Sequence, residues 1–215
     1  MSTARTGSLY VMPLVTAHFT MSLDGFMAGP DQTQETPLGV GGEELHRWMF
    51  DEARHPADLA ARDHILAPRG AYIMGRNMFG PVRGDWASFE GSEDWRGWWG
   101  DEPPYHAPVF VLTHYPHDPI EMEGGTTFHF VGGFDEALAR AIEAANGDTV
   151  TIAGGASAVR QGLEAGVVDE VMVSHSPMTL GSGESPFAVA GLVAEPVKVE
   201  TSPFATHVYY RIKRD

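Results

Sequence analysis

Cysteine is absent from the 215 residues. That excludes a disulfide scaffold, thiol nucleophilic catalysis and thiolate metal sites, and it accords with the cytoplasm. Basic residues are few: 14 Lys and Arg stand against 29 Asp and Glu, a formal net charge of −15. Such a balance argues against a general nucleic-acid binder. It still permits a phosphate-bearing ligand where a few arginines are placed locally. No apolar run approaches membrane-spanning length, so no membrane partner is expected. Residues 1–12 lack the basic start and apolar stretch of a secretory leader, and are expected to form a flexible tail. Internal repeats and low-complexity tracts are missing too, which removes solenoids from consideration.

What remains is a chain with 43% hydrophobic residues, enough for an ordinary globular core. Residues 13–215 are expected to form a single domain, since no linker separates two. Strands are predicted at Leu14–Thr20, Gly70–Met74, Val109–Leu112, Thr127–Val131, Val150–Ala153, Asp169–His175, Val197–Ser202 and His207–Ile212. Helices are predicted at Glu43–Arg54, Asp58–Leu66, Phe134–Ala145 and Ala156–Leu163. The last two strands follow one another through a short link and should pair antiparallel. The alternation of strands and helices before them predicts a three-layer α/β fold, its mixed sheet mostly parallel with an antiparallel C-terminal hairpin.

The stretch from Val150 to Gly183 is the most informative. A short β-branched strand runs into Gly154-Gly155 and then into a helix opening with Ala156 and Ser157. Glycine lets the backbone turn sharply and lets a ligand approach without a Cβ in the way. The open N–H groups at a helix start suit an anionic phosphate. The alternative is a tight strand-to-helix turn with no ligand. The three-glycine dinucleotide fingerprint and the lysine of a nucleotide-triphosphate loop are both missing.

Two other stretches stand out. Met21 to Asp31 reads as a long, mobile loop with two glycines and a proline, and Val82 to Pro108 holds Trp86, Trp95, Trp98 and Trp99 among Gly, Pro and acidic residues. The tryptophan-rich stretch reads as a structured loop folded onto the body; stacking on a flat substrate is the other use for it. His114 and His117 have His-x-x-His spacing with Asp118 behind them. Pro116 breaks helical geometry there, and a loop is the preferred reading over a metal site.

Four blocks in order resemble the dihydrofolate reductase superfamily: Met21-Ser22-Leu23-Asp24-Gly25-Phe26-Met27-Ala28-Gly29, Met74-Gly75-Arg76-Asn77-Met78-Phe79, Ile152-Ala153-Gly154-Gly155 and Leu180-Gly181-Ser182-Gly183-Glu184. They are most similar to the branch that includes the reductase domain of bacterial riboflavin biosynthesis. The resemblance implies a dihydrofolate-reductase-like fold, a homodimer and a nicotinamide cofactor, usually NADPH, with FMN as second choice. It implies that Gly154, Gly155, Ala156 and Ser157 lie along the pyrophosphate and nicotinamide. Gly75, Arg76 and Asn77 would meet the adenosine-side phosphates. Thr113 and His114 would hold the 2′-phosphate region, and Ala17 and Met27 would flank the nicotinamide through backbone contacts. The loop Ser22–Asp31 would close over the reacting ring. One departure is the lack of basic residues to grip a ribosyl phosphate on the substrate side.

Arg76 also has a chemical argument of its own, because a guanidinium offers a planar fork of donors that fits a phosphate bidentately. Hydride transfer to a C=N or C=O bond needs a proton delivered to the developing charge, and Asp24 and Glu44 are the acid–base candidates. A carboxyl group enclosed under a loop would have a raised pKa. Asp24 can also serve as a turn residue, and Glu44 as a charge in the first turn of a helix. The leading expectation is an NADPH-dependent reductase of a small pterin-like, pyrimidine-like or carbonyl substrate. The alternatives are a non-enzymatic nucleotide- or flavin-binding module on the same fold, and an interaction protein that uses the tryptophan-rich loop as its contact surface.

Overall fold

A computed structural model describes residues 12–50, 55–80, 84–89 and 91–213. Nearly all of the expected tail, and residues 51–54 of the first expected helix, lie outside these. In chain order the elements are β1 (Val15–Met21), α1 (Arg47–Phe50), α2 (Pro56–Leu66), β2 (Ala71–Gly75), α3 (Arg76–Phe79), β3 (Pro108–Leu112), β4 (Ile120–Glu121), β5 (Thr127–Val131), α4 (Phe134–Ala145), β6 (Val150–Gly154), α5 (Ala156–Glu164), β7 (Glu170–His175), β8 (Ala194–Thr201) and β9 (Thr206–Ile212). The nine strands make one sheet in the order β4-β5-β3-β2-β6-β1-β7-β9-β8. The five inner pairings are parallel. Both edges are antiparallel, with β4 on β5 and the terminal strands on β7. The α/β class, the mostly parallel mixed sheet and the C-terminal hairpin are therefore as the sequence predicts.

Local chemistry explains the elements. In α4, Phe134, Ala137, Ala141 and Ala145 fall on one buried stripe, the spacing of an amphipathic helix. The helix ends at Asn146, in the left-handed region at φ 49°, a conformation that asparagine tolerates. Pro56 opens α2, where its missing N–H costs nothing, and the His55 ring accepts from the Ala57 N–H. The helix expected at Glu43–Arg54 begins instead as a 3-10 turn, Gly42–His46, before α1. Two glycines and an uncapped start explain the difference, because no side chain caps Gly41.

The faces of the sheet are built differently. On one, α4 and α5 cover a continuous apolar core from Val15, Ala17 and Phe19 of β1 to Ile152 of β6 and Val171 and Val173 of β7. On the other, two separate apolar clusters sit on the flanks. Tyr72, Met74, Phe79, Val109, Val111 and Phe128 pack with Trp86 and Trp95 of the tryptophan-rich segment. Trp48, Ala61, Met172 and Ala205 pack on the side of α1 and α2. Each fully buried aromatic or large aliphatic side chain contributes about 1.5–3 kcal/mol. The strip between the clusters is polar, and it runs along the middle of the sheet.

Candidate functional site

The central strands part at their carboxyl ends. The β1–β6 ladder runs only from the Val15–Val150 pair to the Ala17–Ile152 pair. Beyond it, β1 stays with β7 as far as Met21 beside His175, while β6 stays with β2 as far as Gly154 beside Met74. The gap left between β1 and β6 beyond that ladder, where the strand order reverses, is the candidate crevice, since open α/β sheets bind ligands at such a point. Ala17 occupies the last rung before this split.

Two glycine corners form one wall of the crevice. Gly154 and Gly155 have φ of 143° and 79°, both outside the range that an L side chain adopts without strain. A Cβ on Gly155 would lie 3.2 Å from the Gly75 Cα, and one on Gly154 would lie 3.2 Å from the Met78 sulfur. The diglycine thus lets the β6–α5 corner press against the β2–α3 corner. No side chain caps the start of α5 at Gly155, so the N–H groups of its first turn, Ala156 and Ser157 among them, keep their donors for another acceptor. The Ser157 hydroxyl accepts from Gln161 Nε2 at 3.3 Å on the helix surface.

Arg76 sits at the rim of that wall as the first residue of α3. Its guanidinium carbon is 3.5 Å from the ring centre of Trp86. All three guanidinium nitrogens are buried, and none has a hydrogen-bond partner among the described residues. Burial lowers the pKa to about 10, which leaves the group a cation at neutral pH. Beside it, Asn77 Nδ2 donates to Gln32 Oε1 at 3.1 Å, and the Asn77 side-chain oxygen is buried without a partner. Thr113 is buried at the end of β3, and its hydroxyl accepts the Tyr115 N–H at 3.1 Å. His114 is exposed. Trp86 links these parts: its indole N–H donates to the Tyr115 carbonyl at 2.9 Å, and its ring packs edge-on against His117 and Phe130, both at 4.9 Å. His117 is thus engaged in an aromatic cluster, and its Nδ1 lies 2.6 Å from the Asp118 carbonyl. Among the described residues no group of three or more His, Asp or Glu is placed to hold a metal ion.

The expected lid is knitted into its surroundings. Leu23 N–H donates to Met178 O at 2.8 Å, Met27 N–H to Glu184 O at 2.8 Å, and Glu184 N–H to Ala28 O at 3.0 Å. On its other side, Gly29 N–H donates to Leu38 O and Val40 N–H to Pro30 O. The mobile reading of Met21–Asp31 is corrected accordingly: loop-like composition conceals backbone pairing to one distant segment and one nearby. Met27's N–H is committed to Glu184 within this pairing. Asp24 completes the seam, its carboxylate accepting from the N–H groups of Leu180 and Gly181 at 3.0 and 2.6 Å. The Ser22 hydroxyl first, and then these backbone N–H groups, hold the carboxyl below the usual carboxylate range. That reverses the raised pKa expected for a carboxyl enclosed under a loop, because Asp24 is exposed and surrounded by donors. Glu44 is exposed on the 3-10 turn.

The polar strip went unread at the sequence level. Thr16, His18 and Thr20 of β1 face it, with Thr151 of β6 alongside. The Thr16 and Thr151 hydroxyls are 2.8 Å apart, and Arg69 Nε donates to Thr151 Oγ1 at 3.1 Å. Burial first, then the neighbouring His64 and Arg69, push the His18 pKa down to about 3, so its ring is neutral. No described residue hydrogen-bonds the His18 ring, which retains partial exposure in the middle of the sheet. The α1–α2 wall is fixed by a buried network: Ser174 Oγ lies 2.8 Å from His207 Nδ1, His207 Nε2 lies 2.8 Å from Asp58 Oδ1, and Trp48 Nε1 donates to Thr20 Oγ1 at 3.1 Å. The signal was available. A strand buried between two neighbours should be apolar on both faces, whereas β1 alternates Thr16, His18 and Thr20 with Val15, Ala17 and Phe19.

Comparison with known proteins fits this geometry. The chain is similar to a crystal structure of a protein from Shewanella sp. PV-4 named for riboflavin biosynthesis, with 20% identity, 94% of this chain and 99% of that one covered, and a TM-score of 0.62. It is similar to a diaminohydroxyphosphoribosylaminopyrimidine deaminase/5-amino-6-(5-phosphoribosylamino)uracil reductase from Thermotoga maritima, with 16% identity, 94% and 57% coverage and a TM-score of 0.56. It thus spans a little over half of that longer chain. The riboflavin biosynthesis reductase Rib7 of Saccharomyces cerevisiae follows at 14% identity, 99% and 94% coverage and a TM-score of 0.50. No curated protein matches the chain. Residues 13–207 match the model of the RibD C-terminal domain, and the chain belongs to that family.

Proposed function

We propose that the protein is an NADPH-dependent reductase of a small heterocyclic substrate, pyrimidine- or pterin-like, or of a small carbonyl compound. The observation that carries this reading is the buried, unpartnered guanidinium of Arg76 beside the paired glycine corners. A buried cation without an acceptor is costly, and a phosphate is the acceptor its planar fork fits. The rest of the wall suits the same ligand. Gly75 and Gly155 bring bare backbone to the crevice, and the first turn of α5 offers free N–H groups to a pyrophosphate.

A nicotinamide dinucleotide bound there supplies the hydride. The substrate then lies over the polar strip, where neutral His18 offers one N–H and one lone pair to orient a ring amide or carbonyl. Trp48, held by Thr20, and α2, held by the Asp58–His207 pair, form its far wall. Asp24 serves as the clasp of the covering loop, and the proton arrives through water, because Asp24 is held ionised and His18 neutral at working pH. The family reading also favours a homodimer in the cytoplasm. Val197 and Val199 on the edge strand β8 are exposed, and a partner over this edge would cover them.

Thermal unfolding with NADPH, NADH or FMN tests the reading. At one hundred times its dissociation constant a bound dinucleotide stabilises the fold by about 2.7 kcal/mol. NADPH is expected to raise the melting temperature most. An unchanged melting temperature with all three ligands refutes the proposal. Binding without turnover of any pyrimidine, pterin or carbonyl acceptor favours a non-enzymatic module.

A further inference from the structure

We propose that Trp86 and Gly80 form a slot that presents the Arg76 guanidinium to a phosphate monoester, which makes Trp86 a specificity-determining residue of the cofactor site. The inference rests on the cofactor reading above and assigns a task to a residue of the tryptophan-rich segment.

Arg76 starts a single helical turn, and Gly80 closes it, its N–H donating to Arg76 O at 2.9 Å. Gly80 has φ −125° and ψ 156°, extended backbone that any residue adopts, so conformation does not require glycine here. Space does. A Cβ on Gly80 would run into Arg76 Nη1. The side chain of Arg76 therefore folds back across the bare Gly80 backbone. Trp86 packs on the same group, its ring centre 3.5 Å from the guanidinium carbon. The guanidinium thus lies against both Gly80 and the indole, its nitrogens buried and without acceptors among the described residues, so a phosphate that reaches it meets a fork of uncommitted donors.

The platform is rigid. The Trp86 indole is anchored by its N–H on Tyr115 O at 2.9 Å, and its ring meets Phe130, His117 and Phe79 at 4.9, 4.9 and 5.9 Å. None of these contacts uses the guanidinium nitrogens, which have no partner among the described residues. A long arginine side chain free in solvent loses rotamer entropy when it grips a ligand. Here the stack has already ordered it, so the phosphate meets a donor fork in place. A ligand without a phosphate at that position gains nothing from the slot. The slot therefore acts on the difference between NADPH and NADH and not on dinucleotide affinity in general.

The test is calorimetric titration of the full chain with NADPH, NADH and adenosine 2′,5′-bisphosphate. Wild type is compared with Trp86→Leu, Trp86→Phe, Gly80→Ala and Arg76→Ala, each checked for folding by thermal melting. Removing the indole is expected to weaken NADPH and the bisphosphate roughly five- to tenfold and to leave NADH within about twofold. Trp86→Phe should recover most of the loss, since a phenyl ring still faces the cation. Gly80→Ala should lose the NADPH preference by displacing the guanidinium. If Trp86→Leu and Gly80→Ala keep the wild-type NADPH-to-NADH ratio while Arg76→Ala lowers it, the slot is wrong and the cofactor reading stands. If Arg76→Ala also keeps that ratio, the phosphate assignment itself falls. Should Trp86→Leu fail to fold, Gly80→Ala decides alone, and a retained preference overturns the slot.

Discussion

Asp24 and Gly181 lie 157 positions apart in the chain and meet through a 2.6 Å hydrogen bond. The same carboxylate takes the Leu180 N–H, so one side chain fastens the covering loop to the segment after β7. Asp24→Asn keeps the shape and removes the charge. Amide hydrogens of Leu180 and Gly181 should then exchange faster, and those of Met27 and Glu184 should follow. The sign with pH is fixed by a folded pKa below the ordinary 3.8. The clasp is at full strength above that ordinary value and weakens as pH falls through the lower, folded one. In the asparagine variant the exchange of these amides should lose this pH dependence. Identical exchange in both proteins would remove the clasp.

His18 gives a second pH effect of different origin. Its ring is held neutral down to about 3 against an ordinary 6.5. The unfolded chain therefore binds a proton that the folded chain refuses, so this contribution to stability is complete above 6.5 and declines as pH falls toward 3. Between pH 7.5 and pH 5 it amounts to about 2 kcal/mol. Urea denaturation at both values should show His18→Leu losing less stability on acidification than the wild type by about that amount. Equal losses would mean that the ring charges freely in the fold.

Gly155 is constrained twice, by its φ of 79° and by the 3.2 Å approach of Gly75 to its missing Cβ. Gly155→Val should lower stability by about 1–3 kcal/mol. On the proposed function it should also abolish the rise in melting temperature on adding NADPH, because the side chain drives apart the two glycine corners and displaces the Gly75–Arg76 backbone beside it. A variant that folds and still responds to NADPH shows that the corner is only a turn.

Asp58 and His207 are buried and 2.8 Å apart, and Ser174 holds the other ring nitrogen. Asp58→Ala leaves a buried imidazole edge without its acceptor and should cost about 1–3 kcal/mol. The far wall of the crevice should loosen with it. Chemical denaturation checks the first effect, and amide exchange along α2 checks the second. A loss below about 1 kcal/mol would show that packing alone holds this wall.

The parts of the molecule set by local chemistry were readable from residue order. The run from Val150 to His175 announces strand, glycine corner, helix and strand, and α4 ends at Asn146 as its composition requires. What escaped depends on neighbours distant in the chain. Nothing near Met21–Asp31 shows that Met178, Gly181 and Glu184 will pair with it. β8 begins at Ala194, three residues before the predicted start, because pairing with β9 continues through Pro196 and is interrupted only by a bulge after it. Strand β4 is two residues long and exists only as a partner to β5. Arg76 was singled out by the resemblance and by the chemistry of its side chain, but the Trp86 ring against it needed the tertiary fold. His18 was hidden in plain alternation, since its meaning changes once β1 is known to be an interior strand.

The divided face of the sheet has an evolutionary consequence. The bank formed with Trp86 and Trp95 and the bank formed with Trp48 come from different stretches of the chain and share no residue. Insertions or trims on one side can widen or narrow the channel without disturbing the opposite shore. A single scaffold can thereby be refitted for guests of unlike girth, one margin at a time.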